Sequence, residues 1–120
     1  LLVTISTGAA HDLTTRPVHT QWRIASDLRD AGVQSGESAA VLGHSTAGDY
    51  WAHLAQIRIV ADMPLQDLDM FWQANQQTQK QVIDAFAGTG ARFIITPKRP
   101  MMAGWIPVGD YYALDLRDRP

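Results

Sequence analysis

Short apolar segments of strand character alternate along this chain with longer segments in which apolar residues recur at helical spacing. The strand-like segments are residues 39–43, 57–61, 91–96 and 111–116, and helical spacing covers 18–31, 49–56 and 67–87. Residues 101–109, before the last strand, show neither pattern. Because parallel strands need long crossover connections, usually helices, this alternation predicts a sheet covered by helices.

We therefore predict an α/β domain, a small three-layer sandwich with a mostly parallel sheet of three or four strands and a Rossmann-like or flavodoxin-like topology. The last strand follows a loop instead of a helix, so we expect it to pair antiparallel at an edge. The domain is expected to span residues 18–120, with residues 8–17 as a loop and 1–17 as an N-terminal extension or edge strand. The apolar run Leu1–Ile5 fits an edge strand and the trailing end of a preceding segment equally well.

Composition narrows the class of protein. The chain has 120 residues, of which 46% are hydrophobic and 18% charged, as expected of one globular domain. A net charge of −2 provides no electrostatic footprint for nucleic acid, and the absence of cysteine excludes disulfides, thiolate metal sites and a cysteine nucleophile. No apolar run approaches the roughly 20 residues that span a bilayer, so independent membrane insertion is not expected.

The turn after the first strand imitates the nucleophile turn of α/β-hydrolases. Residues 43–47, Gly-His-Ser-Thr-Ala, match the pattern G-x-S-x-G except at the last position. That family's triad needs an acid and then a histidine downstream, whereas the last histidine here is His53, inside the next predicted helix. We therefore assign no catalytic residue and interpret the turn as a strand end with a hydroxyl that caps the following helix. A ligand-contacting turn is the alternative.

Polar residues after three of the predicted strands define the ligand crevice of that alternative. They are His44, Ser45, Thr46, Asp62 and Lys98. In α/β sheets ligands bind outside the carboxyl ends of the strands, where a lysine suits an anionic group. Asp49, near the same end, is interpreted as a turn or cap residue. The histidines lack the i,i+4 spacing of a zinc pair, so no metal and no cofactor is expected.

Three of the four tryptophans fall on predicted apolar helix faces. Trp22, Trp51 and Trp72 are therefore assigned to the core. Trp105 lies instead in the irregular segment 101–109, beside two methionines. Because tryptophan is enriched at interfaces, Trp105 is the predicted partner-facing aromatic residue.

Residues 28–42 resemble the opening of adenylate-forming acyl-CoA synthetases. In that family a helix, a turn of the form GV-x-x-G-[DE] and a strand follow in the same order, as they do here through Gly32-Val33 and Gly36-Glu37. The family's Ser/Thr/Gly-rich phosphate loop is absent from this chain. The resemblance therefore implies shared local structure and no adenylation.

A wider resemblance covers residues 18–116. The similar segments are 22–32, 50–61, Phe71-Trp72, Gly90-Ala91, and Gly104-Trp105 before Tyr111-Tyr112. They resemble the soluble C-terminal α/β domain of bacterial multi-pass membrane proteins of the lipid-linked-sugar glycosyltransferase type. In that family the chemistry belongs to the membrane portion, so the resemblance transfers no catalytic residue.

The expected function is therefore that of a non-catalytic accessory domain of a larger bacterial membrane protein. It would lie on the periplasmic or extracytoplasmic face of the inner membrane. Its expected partner is the membrane portion of the parent protein or another protein. The alternative is a small-ligand-binding or hydrolase-like enzyme that uses His44 and Ser45.

Overall fold

The structure, a computed structural model, describes residues 8–45, 47–98, 100 and 102–118, with side chains described from residue 19 onward except at 47 and 118. The helices are α1 (Gly8–Asp30), α2 (Tyr50–Ala55), α3 (Leu68–Gln73) and α4 (Gln76–Gly88). The strands are β1 (Ser38–His44), β2 (Arg58–Pro64), β3 (Phe93–Thr96), β4 (Ile106–Val108) and β5 (Tyr111–Asp115). Short 3-10 turns lie at Ala47–Asp49, Leu65–Asp67 and Leu116–Asp118.

The strands of the described residues form one sheet in the order β2-β1-β3-β5-β4. β1 pairs parallel with β2 and β3, whereas β5 pairs antiparallel with β3 and β4. The α/β class is therefore confirmed, but the prediction of a mostly parallel sheet with three or four strands is wrong. The edge position predicted for the last strand is also wrong, because β4 takes it. β4 escaped prediction because it is only three residues long and contains Pro107, which cannot donate to a ladder.

Helices cover both faces of the sheet. Successive residues of the central strands point to opposite sides, so each of these strands contributes to the core on both faces. Val41 and Ile95 belong to one hydrophobic cluster, with residues of α1 and α2. Leu42 and Ile94 belong to a second cluster, with residues of α3 and α4. All four of these strand side chains are fully buried, so the core lies in two layers on either side of β1 and β3.

An irregularity in β2 lets this strand contribute to both layers. The register pairs Ala39 with Ile59 and the next residue, Ala40, with Ala61, so Val60 is an extra residue on β2. Ile59 packs against the α1–α2 layer, whereas Ala61 packs against the α3–α4 layer. Without the extra residue, Ile59 and Ala61 would point to the same face. Val60 itself is exposed.

Two predicted helices have different bounds in the structure. α1 begins at Gly8 and continues through Pro17, although proline removes one donor from the helical ladder, so the loop predicted for residues 8–17 is wrong. Residues 1–7 lie outside the described residues, so the prediction for Leu1–Ile5 remains a prediction.

The helix predicted over residues 67–87 is divided between Gln73 and Gln76. Asn75 caps α4, since its side-chain oxygen accepts a hydrogen bond from the Thr78 N–H at 2.8 Å. Helical spacing continues across this break, which is why the sequence pattern alone concealed it.

Of the three tryptophans assigned to the core from the sequence, two are buried in the structure and one is not. Trp51 is completely buried and Trp72 is 9% exposed, which confirms their place in the core. Trp22 is 53% exposed, so its assignment to the core is wrong. The apolar face of α1 is occupied by Ile24 and Leu28, and Trp22 lies on its flank, where helical spacing alone does not separate core from surface.

Candidate functional site

Five residues meet at the carboxyl end of β1, and we call them the strand-end cluster. They are His44, Ser45, Gly48, Asp49 and Tyr111. β1 ends at His44 and Ser45 follows it directly. The short turn Ala47–Asp49 contributes Gly48 and Asp49, and β5 begins at Tyr111. β5 runs antiparallel to β3, so its first residue lies at the end of the sheet where β1 and β3 finish.

A contact between the His44 imidazole and the Asp49 carboxylate joins β1 to the turn that follows it. The His44 Nδ1 atom contacts an Asp49 carboxylate oxygen. The Asp49 side chain is only 8% exposed, whereas that of His44 is 36% exposed. Burial raises the pKa of Asp49, and the charge and hydrogen bond of His44 partly oppose that increase. The buried carboxylate therefore holds one edge of a half-exposed imidazole ring.

The Ser45 hydroxyl is engaged with the backbone of the following turn. Its oxygen accepts a hydrogen bond from the Gly48 N–H at 3.1 Å, and the Tyr111 hydroxyl donates to the Gly48 carbonyl at 2.9 Å. A Cβ atom at Gly48 would lie 2.7 Å from both hydroxyl oxygens. Only glycine therefore fits between Ser45 and Tyr111 without displacing them.

Contacts from α1 and α2 support the cluster from below. The backbone N–H of Trp51 donates a hydrogen bond to the side-chain oxygen of Gln21 at 2.8 Å, and Gln21 is itself buried. Burial raises the pKa of Tyr111, with the Gln21 side chain acting in the opposite direction. The cluster is thus continuous with the α1–α2 core layer, so it connects the end of the sheet to these helices as well as forming a polar site.

The structure brings together only part of the predicted crevice. His44 and Ser45 lie in the strand-end cluster, and Asp62 is close enough for its charge to oppose ionisation of Asp49. Lys98 instead pairs with Asp69 at the start of α3, with 2.9 Å between its Nζ atom and the carboxylate. Thr46 lies outside the described residues. The ligand-binding role of these five residues remains a prediction.

The Trp105 side chain is only partly exposed to solvent. Its side chain packs against the α3–α4 core layer, where it makes an edge contact with Trp72 at a centroid distance of 6.1 Å. Its indole nitrogen is covered. The partner-facing role predicted for Trp105 stays a prediction. Trp22 is the more exposed of the two tryptophans.

The chemistry open to the cluster follows from these contacts. A carboxylate-held imidazole can accept or donate a proton through its second nitrogen, as in catalytic and ligand-binding sites generally. In the described part of the chain, no group of three or more His, Asp or Glu side chains is arranged to hold a metal ion. Among the same residues, no helix is both long enough and apolar enough to cross a membrane.

Sequence reasoning missed two members of the cluster. The sequence favours a turn or cap role for Asp49, but in the structure Asp49 makes no side-chain cap hydrogen bond to α2. Tyr111 carried no signal at all, because its partner Gly48 lies 63 residues earlier in the chain. The small residues Ala47-Gly48 after His44-Ser45 were the available hint, since they allow a second element to approach the turn closely.

Comparison with known proteins gave no match for this chain. No protein-family model aligns with it, and the searches of curated proteins and of solved structures returned no significant similarity.

Proposed function

We propose that this chain is a non-catalytic accessory domain of a larger bacterial membrane protein, placed on the extracytoplasmic side of the inner membrane. Its role in this proposal is to dock on the membrane portion of the parent or on another protein. The resemblance of residues 18–116 to such domains supports the proposal. A mixed sheet of the order β2-β1-β3-β5-β4, covered by helices on both faces, is compatible with it.

The observation that carries the non-catalytic part is the engagement of the Ser45 hydroxyl. A serine nucleophile needs a hydrogen-bonded base, and the base needs a residue that orients it. Here the oriented imidazole is that of His44, the adjacent residue, whereas the Ser45 oxygen accepts from Gly48 N–H. Within the described ranges of the chain, the Ser45 hydroxyl donates no hydrogen bond to the oriented imidazole, which its activation as a nucleophile would need.

The docking part is supported by aromatic side chains that the fold leaves at the surface. Trp22 on α1 is 53% exposed and Tyr50 at the start of α2 is 44% exposed. Trp22 lies one residue after Gln21, which bonds the α2 backbone beside Tyr50. Exposed tryptophan and tyrosine side chains are enriched in interface hot spots, so this flank is the docking surface that the proposal selects.

Site-specific photo-crosslinking in the intact membrane protein tests the docking role. A photoreactive residue at position 22 should produce a crosslink to the membrane portion or to a partner protein, either a different protein or a second copy of the chain. The same residue at Gln77, exposed on α4 in the opposite layer, is the matched control and should produce none. Equal labelling from both positions, or none from position 22, would overturn the proposed docking surface.

A second candidate function is small-ligand binding or hydrolysis at the strand-end cluster. The His44–Asp49 ion pair favours it, because buried carboxylates that orient imidazoles are common in catalytic sites. The test is hydrolysis of p-nitrophenyl acetate by the purified domain and by its Ser45→Ala and His44→Ala variants. We expect all three to match the background rate of free histidine. A loss of turnover confined to the variants would establish the second function instead.

A further inference from the structure

The solvent-facing side of α1 is a polar stripe with heptad spacing. Its members are His19, Arg23, Ser26 and Asp30, all exposed, at successive intervals of four, three and four residues. Such intervals keep side chains along one line of a helix and allow a second helix to pack along it. We call this line the outer face of α1.

The other charged residues near this part of α1 already have partners inside the domain. The Asp27 carboxylate accepts a hydrogen bond from the Gly109 N–H at 2.6 Å. The Arg29 guanidinium donates to the Ala55 carbonyl and to the Ser35 hydroxyl, both at 2.9 Å. Among the described residues, neither Arg23 nor Asp30 has an ion-pair partner. The outer face therefore carries one unpaired positive and one unpaired negative charge in the part of the chain that the structure describes.

These two charges are complementary to their own copies. If two α1 helices cross antiparallel with a two-fold axis between Ser26 and Asp27, each Arg23 faces Asp30 of the other copy. The symmetry makes this contact twice, once on each side of the axis. The small side chain of Ser26 lies at the crossing point, where it allows the helices to approach closely.

Trp22 extends this surface toward α2. It lies seven residues before Arg29 and therefore on the same side of the helix, the side from which Arg29 reaches Ala55 at the end of α2. In an antiparallel pair the two-fold axis keeps like flanks together, so Trp22 of each copy would lie beside the Arg29 side chain of the other. Burying a half-exposed tryptophan beside two charge pairs supplies the apolar part of the contact.

We infer that the partner of this surface is a second copy of the chain, joined through the outer faces of two antiparallel α1 helices. This inference depends on the proposed docking function, for which it names the occupant. One helix pair buries less than a standard interface, so the dimer is weak and depends on concentration. The edge of β2 is a poorer surface for a second copy, because the extra residue Val60 interrupts its regular pairing pattern.

Sedimentation velocity of the purified domain over a wide range of concentration tests the inference. The wild type should pass from monomer to dimer as concentration increases. Arg23→Asp places two carboxylates opposite each other, and Asp30→Arg places two guanidinium groups opposite each other, so each variant should weaken the dimer by about tenfold or more. Lys80→Asp on exposed α4 is the control for the charge reversal itself: it breaks an exposed ion pair with Asp84 inside α4 and should leave the dimer unchanged.

Mixing the two weakened variants gives the sharpest arm of the experiment. In the mixed dimer both contacts again join an aspartate to an arginine, so association should recover to near the wild-type level. Trp22→Ala should weaken the dimer without changing the circular dichroism spectrum. A wild type that stays monomeric, a dimer insensitive to either reversal, or a mixture that does not recover would each overturn the inference. The photo-crosslink from position 22 to a different protein would still be observed if only the dimer is wrong.

Discussion

In the strand-end cluster, His44 and Asp49 contact each other and the hydroxyls of Ser45 and Tyr111 both bond to Gly48. On the outer face of α1, Arg23 and Asp30 have no ion-pair partner among the described residues, and Trp22 beside them is more than half exposed. Both regions contain an acidic side chain, a basic side chain and an aromatic residue. They differ in whether those groups find partners within the same domain.

This difference separates internal stabilisation from recognition. Polar groups removed from water cost free energy unless they are hydrogen-bonded, so a cluster whose members bond to one another holds two elements together. Groups that remain solvated can form new contacts without first breaking internal ones. We therefore expect substitutions in the strand-end cluster to change stability, and substitutions on the outer face of α1 to change association.

The largest expected difference is between two tryptophans, one on α2 in the core and one on the exposed flank of α1. Trp51→Ala should lower the free energy of unfolding by about 3–5 kcal/mol, because it empties a completely buried site. Trp22→Ala, from the exposed flank, should change it by less than about 1 kcal/mol. Urea denaturation followed by circular dichroism measures both. Similar losses for the two variants would show that the buried and exposed regions are not distinct.

The next largest effect is expected at Gly48. Gly48→Ala would place a methyl group 2.7 Å from both the Ser45 and the Tyr111 hydroxyl oxygens, so we expect a loss of about 1–3 kcal/mol. Gly88→Ala is the matched control, because it lies at the end of α4 with no atom within 4 Å of the added Cβ. That control should be neutral or stabilise by up to about 1 kcal/mol. A neutral Gly48→Ala would mean that the cluster is not tightly closed.

Asp49 should make stability depend on pH. Burial raises its pKa in the folded state above the ordinary value of 3.8, so the folded protein binds this proton more tightly than the unfolded chain. Its contribution is fully present below pH 3.8 and is lost as pH increases through the folded-state pKa. Asp49→Asn should lose this decrease while keeping an oxygen toward His44. Urea denaturation of both proteins across that range measures the difference, and parallel pH profiles would contradict it.

The smallest effect is expected from the Lys98–Asp69 ion pair. Both side chains are more than half exposed, so Lys98→Ala should cost less than about 1 kcal/mol, and salt should reduce the difference further. Thermal unfolding at low and high ionic strength measures it. A larger, salt-resistant loss would mean that Lys98 has a structural role which its exposure does not suggest.

The fold was predictable to the extent that it follows local patterns. Buried β1 and β3 and amphipathic α1 and α4 leave periodic signals within a few residues. The antiparallel direction of β5 follows from the loop, instead of a helix, that precedes it. The break at Asn75 and the strand at Ile106–Val108 were missed, because one is hidden by continuous helical spacing and the other is too short for a period. Trp22 was misplaced because a residue on the flank of a helix shares the spacing of its apolar face.

The sequence predicts where the candidate site lies, but not which residues contact each other in it. The sequence placed His44 and Ser45 after a strand, where polar residues commonly meet ligands, and they do lie at the end of β1. It did not identify Asp49 as the partner of His44, because a backbone turn decides which neighbours face each other. It gave no hint of Tyr111, because that contact joins residues 63 positions apart.

From its sequence alone this chain is determined to be an α/β domain without cysteine chemistry, since composition and hydrophobic period belong to the chain before it folds. Only the tertiary structure decided the mixed sheet, the extra residue that turns β2 toward both core layers, and the pairing of His44 with Asp49. The physical reason is that contact partners depend on the relative placement of whole elements. That placement results from burying two apolar layers at once, and no single segment encodes it.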